Sequence, residues 1–247
     1  MAENLILPGS HHDAMDAHGF TDFFDHIITA DRWTITKDGS ATVSCLEAGK
    51  AGVTIATGAT DNQEGYVHTS FEQFLIAEGK PIVGRFKLAY VEAATSAANI
   101  CVGFFNAGAT QCMLDDGAGP KASYSGACFF KVDGGTRWQV ESSDAGDQTT
   151  TDTEQPAGAA SIAPIEPLEI RITPVDSAIA EIEFWYGRSG KDLHQLREYG
   201  SNPRTPAIKH SLTYNSAEPM DVVLGCKAGA GSDETPIFYQ ASCWQKY

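Results

Sequence analysis

Ile82-Val83-Gly84-Arg85-Phe86-Lys87-Leu88 changes character at nearly every residue. Phe86 and Leu88, continued by Tyr90, fall on one side of an extended chain, and Arg85 and Lys87 fall on the other. Successive side chains of a strand point to opposite faces, so the alternation predicts a β-strand with one face in a core and one in water. The same period recurs along the chain. Ala41, Val43 and Cys45 share a face, as do Val53 and Ile55. Leu168, Ile170 and Ile172 alternate with Glu169 and Arg171, and Ala180, Ile182, Phe184 and Tyr186 alternate with Glu181 and Glu183. Val222, Leu224 and Cys226 form another apolar face, and Ile237, Tyr239, Ala241 and Cys243 a further one.

Ala98 to Phe105 is almost wholly apolar, which predicts a strand buried on both sides. Cys128 to Val132 and Trp138 to Val140 flank Asp133-Gly134-Gly135-Thr136, a favourable hairpin turn. These segments amount to about ten or eleven strands, and no long stretch repeats with the helical period. The expectation is an all-β antiparallel sandwich. Two polar stretches, Ser142 to Pro167 and Arg188 to Pro219, read as long connections, where binding usually resides on such a scaffold. Residues 1–20 read as an N-terminal arm, broken at Pro8-Gly9-Ser10, and residues 21–247 as a single domain. Leu5, Ile6 and Leu7 give that polar arm an apolar tip, which implies a groove for it on a neighbouring subunit or on a larger partner assembly.

The 247 residues are enough for one sandwich with a sizeable core. A formal net charge of -15 argues against broad contact with nucleic acid or an anionic membrane surface, both of which need a basic face. No apolar stretch approaches the length of a membrane span, and the first residues have neither the basic nor the long apolar region of a signal peptide. The six cysteines, Cys45, Cys101, Cys112, Cys128, Cys226 and Cys243, form no C-x-x-C pair, and most sit among apolar neighbours. They read as small buried hydrophobes.

Several of these segments together resemble a family of tailed-bacteriophage virion proteins of the head-decoration, or cement, type. The resemblance lies in Phe23-Phe24-Asp25 and Asp31-Arg32-Trp33, then Thr57-Gly58-Ala59-Thr60-Asp61-Asn62, Gly79 to Lys87, and Ile100-Cys101-Val102-Gly103-Phe104. It is best over residues 23–105 and weaker over 220–247. It implies an antiparallel jelly-roll (concanavalin-like) β-sandwich, a strand over Gln73 to Glu78, and a closing hairpin formed by Val222 to Lys227 and Ile237 to Tyr247. It also implies a homotrimer on the capsid exterior that clamps neighbouring major capsid proteins, with no cofactor and no catalytic residues. Trp185, opposite Phe184 and Tyr186 on its strand, is the aromatic expected to need a partner subunit.

Other chemistries leave weaker marks. Glycan hydrolases of this shape present carboxylates on alternate residues of one strand. Glu181-Ile182-Glu183 has that alternation but no third acid, and reads as an outer face. A glycan-binding module is the alternative function, and would need Trp138, Trp185, Tyr186 and Tyr199 to form an exposed platform. His11, His12, Asp13 and His18 lie on a segment with no scaffold for a metal. Asp61-Asn62 and Asp115-Asp116-Gly117 offer hard oxygens but read as turns. Gly225 to Ser232 lacks the ending of a phosphate loop and reads as a hairpin loop.

Overall fold

A computed structural model describes residues 17–25, 32–47, 50–71, 73–90, 97–106, 112–157, 165–187, 193–200, 206–215 and 218–246. In chain order the strands are β1 (Ala17–Asp22), β2 (Trp33–Lys37), β3 (Thr42–Cys45), β4 (Val53–Ala56), β5 (Glu64–Thr69), β6 (Ile82–Ala89), β7 (Ala98–Phe105) and β8 (Ser125–Lys131). There follow β9 (Arg137–Asp144), β10 (Asp147–Pro156), β11 (Glu166–Pro174), β12 (Ile179–Tyr186), β13 (His194–Gln195), β14 (Lys209–Thr213), β15 (Asp221–Ala228) and β16 (Ile237–Lys246). A 3-10 turn at Asp115–Gly117 is the helical element among the described residues.

The strands form two sheets. A nine-stranded sheet runs β13-β12-β11-β6-β16-β4-β3, with β1 also on β16 and β14 also on β12. A seven-stranded sheet runs β10-β9-β8-β7-β15-β5-β2. Every strand pairing is antiparallel. The core lies between the sheets and is built mostly from the residues whose alternation marks the inner faces; in β16 a bulge after Phe238 turns Phe238, Ala241 and Cys243 inward and leaves Ile237 and Tyr239 half-buried. Phe86, Ile170 and Phe184 of one sheet meet Val102, Phe104 and Phe129 of the other. Phe86 and Phe104 pack edge to face at 6.3 Å between ring centres, and Phe129 and Phe184 at 5.5 Å. All eight residues of β7 are buried. The Asp133–Thr136 turn joins β8 to β9, with Gly134 in the left-handed region at φ 74.

Several expectations change. The strand β1 begins inside the segment read as arm, since residues 17–20 pair with β16. Phe20 is its single core residue and packs on Trp33, too little apolar signal to stand out from a polar run. Leu5, Ile6 and Leu7, with His11, His12 and Asp13, lie outside the described residues. The stretch from Ser142 holds the end of β9 and all of β10. That strand lies at the end of the sheet order and most of its residues are exposed, so it is polar and rich in β-branched threonine. The second long connection contains β13 and β14. Between Gln73 and Glu78 there is no strand but an isolated bridge of Phe74 to Met220 and a turn closed by Ala77 and Lys80. The two closing strands are not a hairpin, because β15 pairs with β7 and β5 while β16 pairs with β6 in the other sheet. The residues between them cross from one sheet to the other. Cys101, Cys112, Cys128, Cys226 and Cys243 are buried, and Cys45 is half-buried.

Candidate binding site

A buried apolar cluster also covers the outer face of the seven-stranded sheet. Tyr66, Cys101, Phe105, Cys128, Phe130 and Val223 alternate with the core residues of β5, β7, β8 and β15, so they point away from the core. They are buried because residues 112–124, here called the strap, cross over them and contribute Cys112, Met113 and Tyr124. Tyr124 stacks on Phe105 at 4.6 Å. Burial pushes the thiols of Cys101 and Cys128 and the phenols of Tyr66 and Tyr124 well above their ordinary values. These groups stay protonated and behave as core.

The strap is tied down at both ends. At one end its turns bond to β9 and β10: Gln148 Nε2 donates to the Lys121 carbonyl at 3.0 Å and to Glu141 at 2.9 Å, and Ser123 Oγ donates to the Ala145 carbonyl. Burial raises the pKa of Glu141, against the lowering effect of its hydrogen bonds from Thr150 and Gln148. At the other end the Met113 amide donates to the Tyr66 hydroxyl at 3.1 Å, and Tyr66 donates to Glu64 at 2.9 Å. The Lys227 ammonium stands 3.4 Å from Glu64, donates to the Met113 carbonyl at 3.3 Å and pairs with Asp115. Lys227 and Glu64 are directly opposed on β15 and β5, and their side chains are 3% and 4% exposed.

Loops gather around this second end. Asn62 Nδ2 donates to the Asp116 carboxylate, and the Asp116 amide donates back to Asn62 Oδ1, each at 3.4 Å. Asn62 and Asp116 both adopt the left-handed region, at φ 63 and φ 52. The Asp133 amide donates to Asn99 Oδ1 at 2.8 Å, which anchors the β8–β9 turn to β7. A Cβ on Gly229 would run into Asp133, so the loop after β15 reaches this turn only as glycine. A side chain at Gly134 would meet nothing within 4 Å, so that turn borders open space. Asn62, Asp115 and Asp116 thus come together from two loops at one end of the sheet, and the Asp133 turn packs beside them against Gly117. They are oxygen-rich and partly exposed, able to accept hydrogen bonds from hydroxyl groups.

The carboxylates weighed for hydrolysis lie elsewhere. Glu181 and Glu183 are on the outer face of the nine-stranded sheet, and Lys209 pairs with both, at 3.1 Å from Glu183. Those hydrogen bonds raise the Lys209 pKa. Trp185 shares that face and is half-buried. The Arg171 guanidinium lies over its ring at 4.0 Å, and its indole N–H donates to Glu183 at 3.3 Å. Part of its cover therefore comes from the same chain. No aromatic platform forms: Trp138 and Tyr186 are in the core, and Tyr199 is exposed with Arg137 over its ring at 3.9 Å. His18 sits in β1 against Phe74. Gly225 to Lys227 belong to β15, not to a loop. Lys227, Glu64 and Tyr66 escape a reading of the sequence as site residues. The available signal is a lysine inside the apolar run Val222–Ala228, opposite in sign to the glutamate that opens β5.

No protein-family model and no curated protein sequence matches the chain. Solved structures do. The potassium-bound carbohydrate recognition domain of Emp46p matches with a TM-score of 0.58 and 9% identity, over 90% of this chain and 94% of that one. Peanut lectin matches with a TM-score of 0.56 and 11% identity, over 93% and 97%. An endo-1,3-beta-glucanase from Streptomyces sioyaensis matches with a TM-score of 0.54 and 11% identity, over 94% and 97%. The chain has the concanavalin-like, legume-lectin-like sandwich fold. Proteins of that fold include both carbohydrate recognition domains and a glucanase.

Proposed function

We propose that the chain is a glycan-binding module whose site is the loop end of the seven-stranded sheet. The observation that carries this reading is the convergence of Asn62, Asp115 and Asp116 from two loops, with Asp115 held in place by a buried ammonium and the Asp133 turn packed beside them against Gly117. Sugar hydroxyls donate well to carboxylate and amide oxygens, and a rigid sandwich fixes those oxygens before the ligand arrives. The likeness to carbohydrate recognition domains supports the reading at the level of fold. The module binds and does not cleave. On the outer face of β7 and β8 stand Asn99, Cys101, Gly103, Phe105, Gly126, Cys128 and Phe130, so these two central strands present no carboxylate there. The strap also covers the outward residues of these strands. A glycan array with the wild-type chain and with the double variant Asn62→Ala/Asp116→Ala tests this. Binding that disappears in the variant is expected, while binding of equal strength in both would overturn the proposed location.

The virion resemblance favours a second reading of the whole chain, as a trimeric decoration protein that binds the major capsid protein on the capsid exterior. Its observation is the sequence likeness over residues 23–105. A truncation lacking residues 1–16 keeps β1, folds, and on this reading loses capsid occupancy together with Leu5, Ile6 and Leu7. Full occupancy by that truncation, or a monomer by light scattering both free and on the particle, would count against it.

A further inference from the structure

We infer that the Lys227 ammonium is a built-in cation that orders the loop end of the seven-stranded sheet, so that the site is assembled without a metal ion. Emp46p's recognition domain has a potassium-bound form, and the shared fold raises the question of whether this chain holds a cation in the same way. Its residues do not fit one. Among the described residues no group of three or more His, Cys, Asp or Glu side chains is arranged to hold a metal. Of the oxygens gathered at this end, those of Glu64, Met113 and Asp115 face Lys227 Nζ, and those of Asn62 and Asp116 accept hydrogen bonds from each other's residues. An ammonium has three N–H groups, and three oxygens match them. A hard cation needs several more oxygens and would meet a positive charge already in place. The three partners come from β5 and from two positions in the strap, so one buried side chain joins strap to sheet. Asp115 in turn leads into Asp116, which bonds to Asn62 across the gap between loops. Lys227 is thus a positioning residue: it touches no ligand, and it holds the acidic turn where the ligand would arrive.

The consequence for ligand binding rests on the glycan reading, but the ordering of the strap does not. Hydrogen exchange separates them, because the Met113 and Leu114 amides are both bonded, to Tyr66 Oη and to the Gly119 carbonyl. In the wild-type chain, exchange at these amides should change by less than about twofold on treatment with EDTA in potassium-free buffer. In Lys227→Met it should accelerate by about tenfold or more, as expected when a buried pair loses one partner. The variant leaves Glu64 buried and uncompensated. Lys227→Met/Glu64→Gln removes both charges and should fold while keeping the fast strap exchange, and the exposed-side change Asp115→Asn should show a smaller acceleration. Strap exchange that speeds up on chelation of the wild type, or protection in Lys227→Met/Glu64→Gln equal to wild type, would overturn the inference. If the wild-type strap behaves as expected but no glycan is bound, the glycan reading fails and the role of Lys227 stands.

Discussion

The two outer faces of the sandwich follow the same alternation and meet opposite fates. On the nine-stranded sheet the outward residues form a grid of charge. Arg85 and Arg171 flank Glu169, whose side chain is fully buried between them, and Glu183 continues the row to Lys209. These groups sit on neighbouring strands in register: Arg85 opposite Glu169, Arg171 opposite Glu183, and Glu183 opposite Lys209. Cross-strand pairs of opposite charge suit a face left to water. On the seven-stranded sheet the outward residues are aromatic, thiol and aliphatic, because the strap replaces water over them. The charged groups on that face are few and mostly buried: Lys227 with Glu64 at one end of the strap, Glu141 at the other, and Asp221 beside His68. Exposed ion pairs such as Lys209–Glu183 are tolerant of change, whereas a charge buried with its partner, as Glu64 is with Lys227, depends on it.

The largest effect should follow from Lys227→Met, which leaves Glu64 buried without its counter-charge. A loss of about 3–5 kcal/mol is expected, read from urea unfolding, and a loss under about 1 kcal/mol would show that the two faces are equally tolerant. Next comes Phe105→Ala. If the covered outer face is a true second core, this change should cost about 3–5 kcal/mol, as for an aromatic truncated in the interior. A cost of the size seen for surface residues would mean that the strap lies loosely on the sheet.

The third prediction concerns the space between the sheets, where His210 of β14 contacts Ser142 Oγ through Nδ1 and Thr151 Oγ1 through Nε2, each at 3.0 Å. A neutral imidazole supplies one donor and one acceptor, which two hydroxyls can match. Burial lowers its pKa from 6.5 to about 4. The unfolded chain therefore binds this proton first as the pH falls. The stability contributed is fully present above pH 6.5 and is lost as the pH drops toward 4, by on the order of 3 kcal/mol. Unfolding free energies measured across that window should fall for the wild type and flatten in His210→Gln. An unchanged slope would show that His210 does not link the sheets. The smallest effect belongs to the open face: Glu181→Gln and Glu183→Gln should barely move the unfolding midpoint and leave glycan binding intact. A glycan-cleaving activity lost in either variant would reverse the assignment of the two faces.

Much of this fold is legible in particular residues. Phe86 and Leu88 against Arg85 and Lys87, and Phe184 against Glu183, state which side of each strand meets the core. The continuous apolar run of β7 announces a strand covered on both faces. The strands β1 and β10 are harder to see, since Phe20 is the lone core residue of the first and the second is a polar edge. The candidate site is less legible than either. Asp61-Asn62 and Asp115-Asp116 are recognisable as oxygen-rich turns, but 54 positions separate Asn62 from Asp116, and nothing local states that they bond to each other. Trp185 is an outward aromatic whose contact with Arg171, 14 positions away, is likewise not stated by its own strand.

The sequence by itself determined the all-β class, the inner faces of most strands and the two-sided burial of β7, because alternation along a strand records the average environment on each side of it. Only the tertiary structure decided that the final strands enter different sheets, that residues 112–124 cover one outer face, and that Lys227 meets Glu64, Met113 and Asp115. Those outcomes rest on contacts between distant segments. An apolar residue on an outer face is the same in sequence whether its cover comes from the same chain or from a neighbour, and a buried lysine is defined by partners that only the folded chain brings to it.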